Sequence, residues 1–113
     1  MKLQDIIENF SLKVATSCGH LDREVRSGYS SDLLSDVIAN SKEGDLWITL
    51  QTHQNIVAVA KLKDLAAIVI VNNREPAEDT LQKANDEGIP ILMTGDPSYM
   101  ISGKLFHLLK EET

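Results

Sequence analysis

The sequence has few of the residues and segments that define several large classes of protein. Its single cysteine, Cys18, cannot form an internal disulfide, which agrees with a reducing compartment. No apolar run approaches the roughly 20 residues that a membrane-spanning helix needs, and acidic residues occur within the first ten positions. We therefore expect a soluble protein located in the cytoplasm, with no membrane partner.

Positive charge and aromatic rings are also scarce. Seventeen acidic residues against 11 basic ones give a formal net charge of -6 at pH 7. An anionic surface repels phosphate backbones, and an aromatic content of 4% leaves few rings on which bases could stack. We therefore expect no nucleic-acid partner.

Motifs that specify catalysis are absent as well. The sequence has no G-x-x-x-x-G-K-[ST] phosphate-binding loop, no G-x-G-x-x-G after any apolar run and no G-x-S-x-G turn. The first of these motifs is required by P-loop kinases and other P-loop NTPases. We therefore predict a protein that is not an enzyme and that carries no cofactor.

What the sequence does contain is a repeated alternation of short apolar runs and helical patterns. Its 113 residues suffice for one domain, with a core over about residues 12–109. From residue 26 onward, four units each combine a β-prone run with a helical pattern, and a short helix and a strand precede them. We predict a single-domain α/β fold, with a mostly parallel sheet of about five strands and helices on both faces.

Local sequence signals predict where the strands and helices begin and end. Strands are predicted over residues 12–15, 25–29, 46–50, 67–71 and 91–93. Ser31 and Asp96 are predicted N-caps. Pro76 and Pro97 suit first helical positions, and Gly88 suits a left-handed helix end. The buried stripe of the last helix is predicted to consist of Met100, Ile101, Leu105, Leu108 and Leu109.

The helix expected over residues 54–65 is apolar on nearly every side. Its first half reads Ile56, Val57, Ala58, Val59 and Ala60. A helix of this kind should be covered by other protein, and a neighbouring subunit is one way to cover it.

Polar residues follow each of the four later predicted strands. Because parallel strands end at one edge of a sheet, where helix N-termini present unpaired amides, ligands tend to bind there. The candidate ligand-binding residues are Ser30, Ser31, Asp32, Gln51, Thr52, His53, Asn72, Asn73, Arg74, Thr94 and Gly95. For any one of them alone, an ordinary role in a cap or a turn is the favoured interpretation.

His53 stands out, because the residue before a helix is more often Ser, Thr, Asn or Asp. It could bind a phosphate or carboxylate, act as an acid or base, or be a solvated loop residue. Cys18 and His20 form a C-x-H pair, which falls short of a zinc signature, so we predict no metal site. An enzyme that uses His53 with Asp32 or Cys18 is the third of three hypotheses about function.

Two segments, GYSSDLLSDV and GDLWITLQTH, resemble the DRTGG domain family. The resemblance runs from about residue 12 to residue 109 and is closest to small stand-alone members. Related domains are fused to phosphotransacetylases or inserted between CBS domains of some pyrophosphatases. They also resemble the non-catalytic N-terminal half of HPr kinase/phosphorylases. The resemblance implies a small α/β module, usually dimeric, with a regulatory or ligand-sensing role.

This sequence departs from the motif that names the family. Where an Asp-Arg pair and a glycine usually stand, it reads Gln51-Thr52-His53-Gln54. Where the family has Gly-Gly, it reads Asn72-Asn73, and asparagine tolerates the left-handed backbone conformations that such a turn requires.

The leading hypothesis is a non-enzymatic regulatory module. In it, a homodimer binds a small anionic ligand, for example a nucleotide, at the edge where the strands end. The second hypothesis is a protein-interaction or scaffold subunit of a metabolic or redox enzyme system, without a small-molecule site. The apolar helix over residues 54–65 motivates this alternative, because a surplus apolar face suggests a partner.

Overall fold

The computed structural model of the chain describes residues 1–112, in which helices and strands alternate. The helices are α1 (Leu3–Phe10), α2 (Leu34–Asn40), α3 (Asn55–Lys63), α4 (Glu78–Glu87) and α5 (Ser98–Glu112). The strands are β1 (Lys13–Val14), β2 (Ser27–Ser30), β3 (Asp45–Thr49), β4 (Ala67–Ile70) and β5 (Ile91–Met93). None of these helices is both long and apolar enough to cross a lipid bilayer.

The strands form one five-stranded sheet in the order β1-β5-β4-β3-β2. β2, β3, β4 and β5 are parallel to one another, whereas β1 pairs antiparallel with β5 and sets Lys13 opposite Met93. The predicted α/β fold with mostly parallel strands is therefore confirmed. Because β1 runs against the other strands, it begins at the edge of the sheet where they end.

Alternating side chains of the central strands divide the core into two layers. Leu46 and Ile48 of β3 face the layer that α1 and α5 cover, whereas Trp47 faces the layer formed by α2, α3 and α4. Every residue of β4 is buried, as expected of a parallel strand covered on both faces. The prediction of helices on both faces is therefore confirmed.

The apolar helix α3 is covered by its own chain. Ile56, Val57 and Ala60 are at most 1% exposed. They pack in the same layer as Val37 of α2 and Ala84 of α4, the two helices that contact α3 on its flanks. Helices of the same chain therefore cover α3. Its apolar sequence is no argument for a neighbouring subunit.

β2 and α2 begin later than predicted. The Val25 N–H donates to the Met1 carbonyl (2.8 Å), so residue 25 pairs with the N-terminus and β2 starts only at Ser27. The Ser31 N–H still donates to the Ile48 carbonyl of β3 (3.2 Å). Ser31 is therefore not the N-cap of α2, and Leu33 holds that position instead.

Two other predicted helix starts are displaced. Pro76 is buried but precedes α4 by two residues, because Ala77 is extended and is itself the N-cap. The Asp96 carboxylate accepts a hydrogen bond from the Lys104 ammonium (2.9 Å), and the Pro97 carbonyl accepts the first bonds of α5. Gly88 ends α4 in a left-handed conformation (φ 73°), as predicted.

The predicted stripe of α5 is only partly buried. Ile101 and Leu105 are buried, and Leu108 and Leu109 pack at the border of the core, but Met100 is 45% exposed. α5 contacts β3 and the edge strand β2, so only one narrow face of the helix meets the core. The prediction that Met100 is buried was therefore wrong.

Candidate functional site

The candidate residues lie at the edge where β2 to β5 end, and their hydrogen bonds divide most of them between two corners. We call the ends of β2 and β3 the Asp32 corner, which consists of Ser30, Ser31, Asp32 and Gln51. We call the ends of β4 and β5 the Asn73 corner, which consists of Asn72, Asn73, Arg74, Thr94 and Gly95. Thr52 and His53 belong to neither corner and lead into α3.

At the Asp32 corner, one carboxylate ties β2 to β3. Asp32 Oδ1 accepts hydrogen bonds from the Thr49 hydroxyl (2.9 Å) and from the Leu50 N–H (2.8 Å). The Asp32 carbonyl accepts another from the Gln51 side-chain amide (2.8 Å). Thr49 is only 1% exposed and its hydroxyl also accepts from the Gln51 N–H (3.2 Å), so Asp32 supplies the acceptor for the proton of a buried hydroxyl.

The two serines of this corner are also engaged within the chain. Ser30 shares a hydrogen bond of 2.6 Å with Ser102 of α5, and the Ser31 hydroxyl accepts from the Leu33 N–H (3.2 Å). Hydrogen bonds from Ser31, Tyr29 and Asn40 hold the pKa of Asp36 below its ordinary value. The polar groups of the Asp32 corner therefore hold secondary-structure elements together.

Thr52 and His53 both stabilise helix starts. The Thr52 carbonyl accepts hydrogen bonds from the Ala77 N–H (3.2 Å) and from the buried Thr80 hydroxyl (2.8 Å), which links the β3 end to α4. Gln54, and not His53, is the N-cap of α3, and His53 Nδ1 accepts from the N–H of the first helical residue, Asn55 (3.1 Å). This bond explains why histidine suits the position.

At the Asn73 corner, two consecutive asparagines adopt left-handed conformations, with φ of 61° for Asn72 and 57° for Asn73. Their N–H groups donate to the carbonyls of Asp96 (3.1 Å) and Thr94 (3.0 Å) and so fix the β4 end to the β5 end. Asparagine and glycine tolerate this conformation better than other residues. The turn therefore has left-handed geometry with Asn72-Asn73 where the DRTGG family has Gly-Gly.

Gly95 makes room for the Asn73 side chain. A Cβ atom at position 95 would lie 2.9 Å from Asn73 Oδ1, closer than such atoms normally approach. The Thr94 hydroxyl beside it accepts a hydrogen bond from the Asp96 N–H (3.2 Å). The absence of a side chain at residue 95 therefore determines where the Asn73 amide lies.

A depression of about 250 Å³ opens at this corner. Its lining consists of Ser11, Lys13, Asn73, Arg74, Glu75, Met93, Thr94 and Gly95. Within residues 1–112, neither Lys13 nor Arg74 has an ion-pair partner. Two cationic side chains therefore line a depression whose other polar side chains carry hydroxyls, an amide and one carboxylate.

Sequence reasoning missed Ser11 and Lys13. They precede or begin the first strand, and only the antiparallel direction of β1 brings them to the edge where the other strands end. The apolar pattern of residues 12–15 indicated a strand but not its direction. A basic residue at the start of an edge strand was the one available signal.

The two histidines considered for metal binding lie far apart. His20 lies against Gly88, since a Cβ there would be 3.2 Å from His20 Nε2. Gly88 precedes β5, whereas His53 follows β3, so the two histidines lie at opposite edges of the parallel sheet. In the part of the chain that the structure describes, no three His, Cys, Asp or Glu residues could hold a metal ion together.

Comparison with known proteins adds evidence for the fold. No family model matches the chain, and no curated protein sequence matches it. Its structure is similar to the crystal structure of the CBS and DRTGG domains of the regulatory region of Clostridium perfringens pyrophosphatase, complexed with the activator diadenosine tetraphosphate. The TM-score is 0.65 at 13% sequence identity, over 92% of this chain and 45% of that one.

The fold is DRTGG-like. The expectation drawn from the GYSSDLLSDV and GDLWITLQTH segments is therefore confirmed for the architecture. This chain spans less than half of the chain it resembles. Both segments belong to the β2–α2 and β3 units, so the resemblance in sequence falls mainly on the Asp32 corner.

Proposed function

We propose that this protein is a non-enzymatic regulatory module that works as a homodimer and senses a small anionic ligand at the Asn73 corner. The observation that carries the proposal is the pair of cations, Lys13 and Arg74, beside the depression at the β4 and β5 ends. In a chain of net charge -6, two cations that have no ion-pair partner among residues 1–112 favour an anionic ligand.

The size of the opening favours a compact anionic group. A volume of about 250 Å³ is below the usual range for a site that encloses a whole drug-sized molecule. A phosphate group could enter the depression, with Lys13 and Arg74 as its cations and the Thr94 hydroxyl and Asn73 amide as donors. The remainder of a nucleotide would then lie across the surface.

The Asp32 corner is the weaker candidate for an anion. Its central group is itself a carboxylate, and its hydroxyls and amide already have partners within the chain. The nucleotide activator named for the pyrophosphatase regulatory region supports a nucleotide as the ligand class, by likeness of fold.

Thermal unfolding tests the proposal. We expect inorganic phosphate, adenosine mononucleotides or diadenosine tetraphosphate to raise the midpoint of wild-type protein. At a ligand concentration 100 times Kd, the stabilisation should be about 2.7 kcal/mol, or on the order of 10 °C for a domain of this size. Arg74→Gln should remove most of the shift, while leaving the midpoint without ligand nearly unchanged.

Lys42→Gln is the matched control, because Lys42 is exposed and lies just before β3 at the opposite edge of the sheet. It removes the same charge and should leave the shift intact. Equal losses in both variants would indicate a non-specific effect of net charge. No shift with any of these anions would contradict the proposal.

A further inference from the structure

One carboxylate stands among the cations of the depression at the Asn73 corner. Glu75 lines the depression together with Lys13 and Arg74. Within residues 1–112, the Glu75 carboxylate accepts no hydrogen bond and forms no ion pair. A phosphate group held by the two cations would leave this carboxylate without a partner. The depression therefore has an acceptor that the phosphate alone does not use.

The backbone on both sides of Glu75 is anchored. The Arg74 N–H closes the preceding turn (3.2 Å), and the Ala77 N–H donates to the Thr52 carbonyl (3.2 Å). Pro76 is buried, and a proline disfavours helical conformation in the residue before it. Successive side chains of an extended segment point apart, which agrees with the absence of an ion pair between Arg74 and Glu75. The position of residue 75 is therefore fixed before a ligand binds.

Most other polar groups of the depression are donors. The Thr94 hydroxyl oxygen already accepts from the Asp96 N–H (3.2 Å), so its proton remains available. Neither the Ser11 hydroxyl nor the Asn73 side-chain amide has a hydrogen-bond partner within residues 1–112. Together with the two cations, these groups suit an anion, whereas an ionised carboxylate can only accept. A ligand that satisfies the whole depression must carry donors next to its anionic group.

We propose that the phosphate of the ligand is carried on a sugar, and that Glu75 accepts hydrogen bonds from two neighbouring hydroxyls of that sugar. This inference rests on the proposed function, because it names the group that adjoins the anion at the same site. The two oxygens of one carboxylate can accept from a vicinal pair of hydroxyls, and acidic residues bind ribose in this way in other nucleotide sites. Glu75 then determines specificity, while Lys13 and Arg74 bind the phosphate.

Hydroxyls suit Glu75 better than a cationic group of the ligand would. Glu75 is exposed, and an ion pair between exposed charges contributes little, whereas a charged acceptor makes stronger hydrogen bonds than a neutral one. The volume of about 250 Å³ is below the usual range for a drug-sized ligand. Selectivity at this corner therefore comes from the group joined directly to the phosphate.

Two nucleotides of equal charge isolate the contribution of the hydroxyls. Adenosine monophosphate and 2′,3′-dideoxyadenosine monophosphate carry the same base and phosphate, but only the first has the vicinal pair. Titration calorimetry of the full wild-type chain should show adenosine monophosphate bound about tenfold more tightly, because hydrogen bonds to a charged group contribute at least that factor.

Glu75→Ala should change the two affinities in opposite directions. Adenosine monophosphate should bind more weakly, because its hydroxyls lose their acceptor. The dideoxy nucleotide should bind more tightly, because the carboxylate no longer repels the phosphate. A residue with a merely structural role would change both affinities in the same direction. Asp86→Asn is the charge-matched control, since Asp86 is exposed near the end of α4, at the opposite edge of the sheet, and should keep the tenfold preference.

The outcomes separate this inference from the proposed function. Equal wild-type affinity for the two nucleotides, parallel changes in Glu75→Ala, or loss of the preference in Asp86→Asn would each overturn the inference and leave the anion site standing. Binding of inorganic phosphate but of neither nucleotide would do the same. If neither phosphate nor either nucleotide binds, the proposed function falls together with the inference.

Discussion

The two corners of the sheet edge contain similar kinds of residues but differ in how those residues are engaged. At the Asp32 corner, hydroxyls, a carboxylate and an amide bond one another and tie β2 to β3. At the Asn73 corner, backbone groups make the ties, and the side chains of Arg74 and Lys13 have no ion-pair partner within residues 1–112. Polar residues at strand ends thus bond one another in one place, whereas in another, within residues 1–112, two cationic side chains have no ion-pair partner.

Asp32→Ala should have the largest effect on stability. The change removes the acceptor of the buried Thr49 hydroxyl and of the Leu50 N–H. We expect the free energy of unfolding to fall by about 1–3 kcal/mol. Urea denaturation would measure the loss, and Asp32→Asn, which keeps an acceptor oxygen, should cost less. An unchanged unfolding free energy in Asp32→Ala would refute a structural role for this corner.

Thr80→Val tests the link between the β3 end and α4. The Thr80 hydroxyl is fully buried and donates to the Thr52 carbonyl, which keeps a second donor in the Ala77 N–H. Valine matches the shape of threonine, and the Thr52 carbonyl keeps its bond from Ala77. The free energy of unfolding, measured by urea denaturation, should therefore fall by only about 1 kcal/mol. Thr80→Ser provides the comparison, since it retains the hydroxyl and loses only a methyl group. If the valine variant is as stable as the wild-type protein, this hydrogen bond contributes nothing.

Gly95→Ala should affect ligand binding more than stability. The added Cβ would displace the Asn73 amide, which is the end of a flexible side chain. We therefore expect the free energy of unfolding to fall by less than about 1 kcal/mol. The phosphate-induced midpoint shift should nevertheless shrink. Adding Asn73→Gly removes the clash and should restore the stability that Gly95→Ala loses. If the two changes are simply additive, the contact between these residues does not matter.

The smallest expected effect concerns acid pH. The pKa of Asp36 lies below its ordinary value of 3.8 because of hydrogen bonds from Ser31, Tyr29 and Asn40. A carboxylate with a lowered pKa in the folded state stabilises the fold above its ordinary pKa, and this contribution disappears as the pH falls through the folded value. Unfolding free energy measured against pH should therefore fall less steeply on the acid side in Asp36→Asn. Identical curves would contradict the assignment.

The fold was predictable because its periodic signals are strong and local. The apolar runs of β3, β4 and β5 and the left-handed end at Gly88 lie where the sequence indicated. Helix starts were less predictable, because capping depends on what else the residue contacts. Ser31 remains bonded to β3, and Asp96 pairs with Lys104, so neither caps its helix.

Which strand-end side chains are engaged by hydrogen bonds within the chain could not be predicted. Sequence placed all four polar segments at one edge, but not the hydrogen bonds between Asp32 and Thr49 that engage one corner. Nor did it give the direction of β1, which brings Lys13 to the other corner. Both facts depend on contacts between residues distant in sequence.

An amide NMR titration with inorganic phosphate tests the difference between the two corners most directly. We expect the largest chemical-shift changes at the N–H groups of Asn73, Arg74 and Gly95, and almost no change at those of Asp32 and Gln51. Shifts concentrated at Asp32 and Gln51, or an absence of saturable shifts at either corner, would contradict this expectation.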